Sequence, residues 1–114
     1  ETAIEVHKIL GPGLLESTYQ RCLMKELDIR GIEYEAEAPV ALDYKGEVIT
    51  DAYRIDLLVG NKLVVELKAT ERLNELHRAQ VLTYLKLMSK KLGLLINFNE
   101  LVIKNGIKRI VNKL

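Results

Sequence analysis

The sequence has few of the residues that build a cross-linked, thiolate-bound or membrane-embedded protein. Only one of its 114 residues is cysteine and two are histidine, so no internal disulfide can form, and the histidines lack the spacing of a zinc site. There is no tryptophan and one phenylalanine, so aliphatic side chains must fill the core. No apolar run approaches the roughly 20 residues that cross a bilayer, and no signal peptide opens the sequence. We therefore expect no membrane association.

Charge of one sign is not in excess either. Seventeen Lys and Arg residues stand against sixteen Asp and Glu, giving a net charge of +1, which is too balanced to attract a polyanion by bulk electrostatics. Apolar residues make up 48% of the chain and charged residues 29%, a mixture typical of a globular domain and not of a disordered segment. The length predicts a single domain, residues 1–114, and the composition predicts a cytoplasmic protein.

Three segments have helical periodicity. Residues 2–10 and 14–30 are separated by Gly11-Pro12-Gly13, which predicts that one helix ends and another begins. Residues 75–91 form the third predicted helix, with Asn74 as its N-cap.

Strand patterns occupy the rest of the chain. Apolar and acidic residues alternate over residues 34–44, which predicts a half-buried strand, and glycine-containing turns separate it from predicted strands at 48–59 and 62–69. The apolar run 92–98 predicts a strand covered on both faces, and residues 101–111 predict a closing hairpin or strand pair around Asn105-Gly106. The order α-α-β-β-β-α-β-(β) predicts an α/β (α+β) fold, a mixed sheet with helices packed on it.

Four charged residues interrupt the predicted strands: Arg54, Asp56, Glu66 and Lys68. Period-two alternation places Arg54 and Asp56 on one face of their strand and Glu66 and Lys68 on one face of the next. An odd-numbered loop such as residues 60–62 would pair Asp56 with Glu66 and Arg54 with Lys68. A two-residue loop would put the two carboxylates on opposite faces.

Aliphatic residues favour the odd-numbered loop. That register pairs three aliphatic residues of each strand on a single core face: Ile55 with Leu67, Leu57 with Val65, and Val59 with Leu63. The two-residue loop would instead pair Asp56 with Val65 and Ile55 with Glu66. We therefore predict the odd-numbered loop.

Paired carboxylates indicate a cation site. Two carboxylates directly opposite each other have Cβ atoms about 5 Å apart and repel, and a hard divalent cation such as Mg²⁺ or Mn²⁺ relieves that repulsion. Such an ion polarises a phosphoryl oxygen and generates hydroxide from bound water. Lys68 would hold or deprotonate that water, or stabilise the charge that develops on the phosphoryl group. The alternative is structural: a charge-neutral ion-pair cluster of the same four residues, without a metal.

Motifs in a fixed order resemble the PD-(D/E)XK nuclease superfamily. Asp56 is followed, after a gap of nine residues, by Glu66-Leu67-Lys68 on a predicted hairpin with a helix behind it. Residues 13–19 read G-x-x-E-x-x-Y, the signature of the GxxExxY family of that superfamily, and residues 80–84 read Q-x-x-x-Y, as in its exonuclease-like branch. The resemblance covers nearly the whole chain and implies a restriction-endonuclease-like fold with an αβββαβ core.

The resemblance also implies the site. Metal ligands would be Asp56, Glu66 and the backbone carbonyl of Leu67, with Glu16 reaching the metal directly or through water. Lys68 would be the catalytic lysine, and Gln80 and Tyr84 would face the site and steady Lys68 or a phosphate. From the residues alone, Glu16 has an alternative role as a first-turn acid that favours the helix dipole. Tyr84 fits a core residue as well as it fits a functional one.

By the same resemblance, the expected function is Mg²⁺- or Mn²⁺-dependent hydrolysis of nucleic acid, with DNA as the expected substrate, leaving a 3′ hydroxyl and a 5′ phosphate. A homodimer or a partner protein would supply further contact surface, because one small near-neutral domain offers few phosphate contacts. The alternative function is a nucleic-acid-binding or regulatory module that keeps the nuclease fold without the chemistry.

Overall fold

The computed structural model describes residues 1–113, and its elements follow the predicted order. The three helices are α1 (Thr2–Leu10), α2 (Glu16–Ile29) and α3 (Glu75–Met88). The five strands are β1 (Tyr34–Tyr44), β2 (Glu47–Val59), β3 (Leu63–Lys68), β4 (Leu92–Asn97) and β5 (Ile107–Val111). No helix among these residues is both long and apolar enough to span a membrane.

Helix α3 begins where its cap was predicted but ends earlier. The Asn74 side chain accepts the backbone N–H of His77 at 2.9 Å, and the His77 ring accepts the Asn74 N–H at 3.2 Å, so two of the free N–H groups at the helix start are satisfied. The helix stops at Met88 and not at residue 91, because Ser89 takes a left-handed conformation with φ of 56°.

A mixed sheet forms the centre of the molecule, in the order β1-β2-β3-β4-β5. Strands β3 and β4 are parallel, and the other neighbouring pairs are antiparallel. Helix α3 is the crossover that joins the parallel strands, as such a connection requires. This arrangement confirms the predicted α/β class and the mixed sheet.

Each face of the sheet carries its own hydrophobic cluster. On one face α1 and α2 contribute Ala3, Val6, Tyr19, Leu23 and Leu27, which pack with strand residues such as Leu57, Val65 and Leu67. On the other face α3 contributes Val81, Tyr84 and Leu85, which pack with residues such as Ile55, Leu58 and Val64. Strand β4 lies between the two helical layers, as its continuous apolar run predicted.

The predicted closing hairpin around Asn105-Gly106 is wrong. Ile103–Gly106 is a short 3₁₀ helix, and the single strand β5 follows it and pairs with β4. Gly106 is required for close packing and not for a hairpin turn, because a Cβ there would come within 2.4 Å of the Asn97 carbonyl oxygen.

The predicted odd-numbered loop is confirmed. Val59 pairs with Leu63 and Leu57 with Val65, which leaves three residues, 60–62, in the loop. The ladder between β2 and β3 ends at the Leu57–Val65 pair. The strands diverge beyond it, so Asp56 and Glu66 stand at a fork rather than inside a continuous ladder.

The three strand pairings predicted beyond the Leu57–Val65 pair are wrong: Asp56 with Glu66, Ile55 with Leu67, and Arg54 with Lys68. Ile55 pairs with Ala38 of β1, and these two residues pack in the α3-side cluster, whereas Ala36 and Leu57 pack on the opposite side. Residues two apart on a strand normally share a face. Glu37 lies between the two alanines with φ of 53°, so both strands exchange faces at this point.

Candidate active site

The fork between β2 and β3 is held by its two carboxylates. The Asp56 backbone N–H donates to Glu66 Oε1 at 2.9 Å, and the Leu67 N–H donates to Asp56 Oδ2 at 2.7 Å. Each carboxylate thus accepts an N–H group that strand divergence would leave without a partner. Asp56 Oδ1 and Glu66 Oε2 take no part in these two bonds. The structure therefore brings the two predicted acids together, each with a second oxygen for another ligand.

Burial makes these carboxylates hard to ionise. Glu66 is 1% exposed, and burial followed by the charge of Asp56 raises its pKa from 4.5 to about 7. Burial also raises the pKa of Asp56, with further contributions from the charges of Glu37 and Glu16. A cation between them would favour the ionised forms of both.

Lys68 lies at the end of β3, two residues beyond Glu66, and is half-buried. Its charge lowers the pKa of both acids, although less than burial raises them. The carbonyl of Lys68 accepts the Phe98 N–H at 2.9 Å, so the backbone beneath its ammonium group is fixed by the neighbouring β4 segment.

Asn97, which the sequence analysis missed, fastens the turn after Lys68. Its fully buried side chain accepts the N–H groups of Thr70 at 3.1 Å and Asn99 at 3.2 Å, and donates to the Thr70 carbonyl at 2.9 Å. The signal was present, because an amide at the end of a buried apolar strand must find hydrogen-bond partners.

Glu16 is the first residue of α2 and is exposed. Its charge contributes to the raised pKa of both Asp56 and Glu66, which places it near the fork. The fully buried Tyr19 stacks on Phe98 with ring centroids 4.4 Å apart, and its hydroxyl donates to the Gly11 carbonyl at 2.7 Å and accepts the Leu14 N–H at 3.1 Å. Tyr19 thus fixes the loop that precedes Glu16.

Gln20 makes a further contact to Asp56 and also binds Glu37; the sequence analysis predicted neither residue. Gln20 Nε2 donates to Glu37 Oε2 at 2.8 Å and to the Asp56 carbonyl at 2.9 Å. Gln20 lies one turn after Glu16 on α2, so helical spacing was a usable signal for it. Glu37 gave no such signal, because only its positive φ distinguishes it from the alternating acids before it.

Helix α3 brings Tyr84 to the fork. Tyr84 is 6% exposed. Burial and Tyr53 raise its pKa, and the charges of Glu66 and Asp56 raise it further. Gln80 is half-buried one turn earlier on the same helix. The two motif residues therefore share the helix that packs beside the acids.

Arg54 does not join this group. It forms an ion pair with Asp51 at 3.0 Å, the one ion pair among residues 1–113, and its Nη1 donates to the Glu37 carbonyl at 3.2 Å. The alternative of a buried four-residue ion-pair cluster is therefore wrong. Instead, the carboxylates of Asp56 and Glu66 lie at the fork, and Lys68 is the cationic residue whose charge acts on both of them.

A comparison with protein-family models identifies the family. The model described as the PD-(D/E)XK nuclease superfamily matches residues 1–110. The chain belongs to this superfamily. Its mixed sheet with flanking helices agrees with the restriction-endonuclease-like fold of PD-(D/E)XK proteins. No curated protein and no solved structure matches the chain.

The donors at the fork suit the divalent metals that PD-(D/E)XK nucleases generally use. Among residues 1–113, no three side chains of His, Cys, Asp or Glu are close enough to form a metal site by themselves. Mg²⁺, however, is commonly held by one or two carboxylates and several waters. Asp56 and Glu66 would meet that requirement, and Glu16, whose charge acts on both acids, would be a further oxygen donor.

Proposed function

We propose that the chain is a Mg²⁺- or Mn²⁺-dependent nuclease that hydrolyses DNA, and that it belongs to the GxxExxY family of its superfamily. The observation that carries the proposal is the pair of hydrogen bonds by which Asp56 and Glu66 cross the β2–β3 fork. A structural ion pair would not place the buried Glu66 against the half-buried Asp56. A cation between them would offset the burial and repulsion that raise their pKa values.

Each residue then has a separate task. Asp56 and Glu66 would hold the cation, assisted by the Leu67 carbonyl and by Glu16. When bound, the cation would supply Lewis acidity that polarises a phosphoryl oxygen and makes water more acidic.

Lys68 and two residues of α3 would contribute the remaining groups of the site. The ammonium group of Lys68 would orient the attacking water, or stabilise the charge that develops on the phosphoryl oxygens. Tyr84 and Gln80 would steady Lys68 or the phosphate from α3. A second copy or a partner protein would add phosphate contacts, because a chain of net charge +1 offers few of its own.

A cleavage assay on the purified chain tests this proposal. Supercoiled plasmid and linear duplex are incubated with Mg²⁺ or Mn²⁺, with EDTA as the blank. Lys68→Ala is expected to lower the cleavage rate roughly 10²- to 10⁴-fold, the usual contribution of a group that moves or holds a proton. Lys62→Ala removes an exposed lysine from the β2–β3 loop and is expected to cleave like the wild type.

Two results would overturn the proposal. Cleavage that is unchanged in Lys68→Ala would assign the activity to another mechanism or to a contaminant. Binding of DNA without cleavage under either metal would favour the second candidate, a binding or regulatory module that retains the nuclease fold.

A further inference from the structure

An aromatic pair stands beside the acids. The rings of Tyr53 on β2 and Tyr84 on α3 stack with centroids 4.4 Å apart and planes inclined by 15°. Tyr84 is 6% exposed, whereas Tyr53 is 37% exposed. Because Tyr84 covers one face of the Tyr53 ring, only the opposite face can receive another ring.

Tyr53 is close to the fork along its own strand. It precedes Asp56 by three residues, which corresponds to about 10 Å of extended chain. Burial raises the pKa of the Tyr53 hydroxyl, and the charges of Glu66 and Asp56 add to that rise. Both observations place the exposed ring at the rim of the candidate active site.

We propose that Tyr53 is a stacking platform for an unpaired base, so that the substrate is single-stranded nucleic acid threaded past Asp56 and Glu66. This inference rests on the proposed nuclease function and specifies its substrate. Tyr84 supports the other face of the Tyr53 ring, because Tyr84 is buried and held in place by α3. Base stacking on an aromatic ring is independent of sequence, since every base has a π-face.

The charges of the chain favour a stacking mode of binding. With a net charge of +1 and several acids at the fork, phosphate attraction alone provides little affinity. Base stacking does not depend on charge, so it can provide the affinity that phosphate attraction lacks. In a duplex, both faces of a base are covered by its neighbours, so an exposed ring reaches a base only where the strand is unpaired or the base is extruded.

Fluorescence anisotropy with a labelled single-stranded oligonucleotide tests the platform without cleavage. Binding is measured in EDTA at low ionic strength for the wild type, Tyr53→Leu, Tyr53→Phe and Tyr53→Trp. We expect Tyr53→Leu to weaken binding roughly 5- to 100-fold, the effect of removing one base–aromatic stack. We expect Tyr53→Phe and Tyr53→Trp to bind like the wild type, because both keep an aromatic ring.

A matched control and a second substrate separate stacking from misfolding. Tyr44→Leu removes a more exposed tyrosine from the far end of the β1–β2 hairpin and is expected to leave binding unchanged. An oligonucleotide in which single bases are replaced in turn by abasic sites should lose affinity for the wild type at one position. That loss should be absent from the remaining binding of Tyr53→Leu, whereas a misfolded variant would bind none of these oligonucleotides.

The outcomes distinguish this inference from the proposed function. The inference is wrong if the wild type binds no single strand, if Tyr53→Leu binds it like the wild type, or if the loss is equal on duplex. Metal-dependent cleavage together with any of these results leaves the nuclease proposal standing. Conversely, ring-dependent binding of single strands without cleavage under Mg²⁺ or Mn²⁺ keeps the platform and overturns the nuclease.

Discussion

The buried carboxylate of Glu66 accepts the backbone N–H of Asp56 at 2.9 Å, at the point where β2 and β3 separate. This bond replaces a strand-to-strand hydrogen bond by one from a side chain, so the acid is needed for the local fold as well as for the proposed chemistry. Substitutions at the fork must therefore keep an acceptor oxygen if they are to report on charge alone. Glu66→Gln and Asp56→Asn both do so.

Divalent metal is expected to stabilise the protein through these acids. Mn²⁺ at about a hundred times its dissociation constant should raise the melting temperature of the wild type by roughly 10 °C. In Glu66→Gln and Asp56→Asn the rise should disappear, because one of the two carboxylates is neutral. Differential scanning fluorimetry with and without EDTA measures the shift.

The control for the metal experiment is Glu47→Gln, which neutralises an exposed acid at the start of β2. It should respond to Mn²⁺ like the wild type. An equal rise in Glu66→Gln would show that the ion binds elsewhere and would contradict the site.

Stability without metal should depend on pH through Glu66. Its pKa in the folded protein is about 7, against 4.5 for an ordinary glutamate, so the folded state holds the proton more tightly than the unfolded state. The resulting stabilisation is complete below about pH 4.5 and is lost as pH rises to about 7. The loss amounts to at most about 3 kcal/mol.

Urea denaturation in EDTA across this pH range measures that contribution as a difference between variants. Glu66→Gln cannot ionise, so its free energy of unfolding should increase relative to the wild type as pH rises. The free energy of unfolding of Glu47→Gln should change with pH in the same way as that of the wild type. A constant difference between Glu66→Gln and the wild type from pH 4.5 to 8 would contradict the buried, shifted carboxyl group.

Removal of the Tyr19 hydroxyl should loosen the loop that precedes Glu16. Tyr19→Phe keeps the stack on Phe98 but loses the bonds to the Gly11 carbonyl and the Leu14 N–H. We expect a loss of about 1–3 kcal/mol in urea denaturation. Tyr44→Phe, which alters an exposed tyrosine, should change stability by less than about 0.5 kcal/mol. Equal effects of the two substitutions would rule out this role for Tyr19.

Asn97→Asp should disturb the turn after Lys68. The substitution replaces the Nδ2 donor with an oxygen that faces the Thr70 carbonyl, so both stability and metal-dependent cleavage should fall. Asn112→Asp is the matched control, because Asn112 is also buried and donates to a backbone carbonyl, that of Lys90 at 3.1 Å, outside the fork. It should lower stability without a specific loss of cleavage. Equal loss of cleavage in two equally destabilised variants would make the effect of Asn97 purely structural.

Local patterns were sufficient to predict most of the fold. The apolar stripes of the helices, the alternation in β1 and the buried run of β4 each follow from the side chains of one segment. The closing segment was misassigned because Asn105-Gly106 is a favoured hairpin turn in isolation. Its glycine is instead required by the backbone of Asn97, a contact between segments that no local pattern contains.

The sequence by itself determined which residues are candidates for the site: the spacing of Asp56 and Glu66, the loop of three residues between Val59 and Leu63, and the lysine two positions beyond Glu66. Tertiary structure decided how they meet. The left-handed Glu37 exchanges the faces of β1 and β2, and the strands diverge at the fork. The reason is physical: register follows from the side-chain alternation of neighbouring strands. The reversal occurs at Glu37, whose contacts come from Gln20 and Arg54, each 17 residues away, and no local pattern contains such contacts.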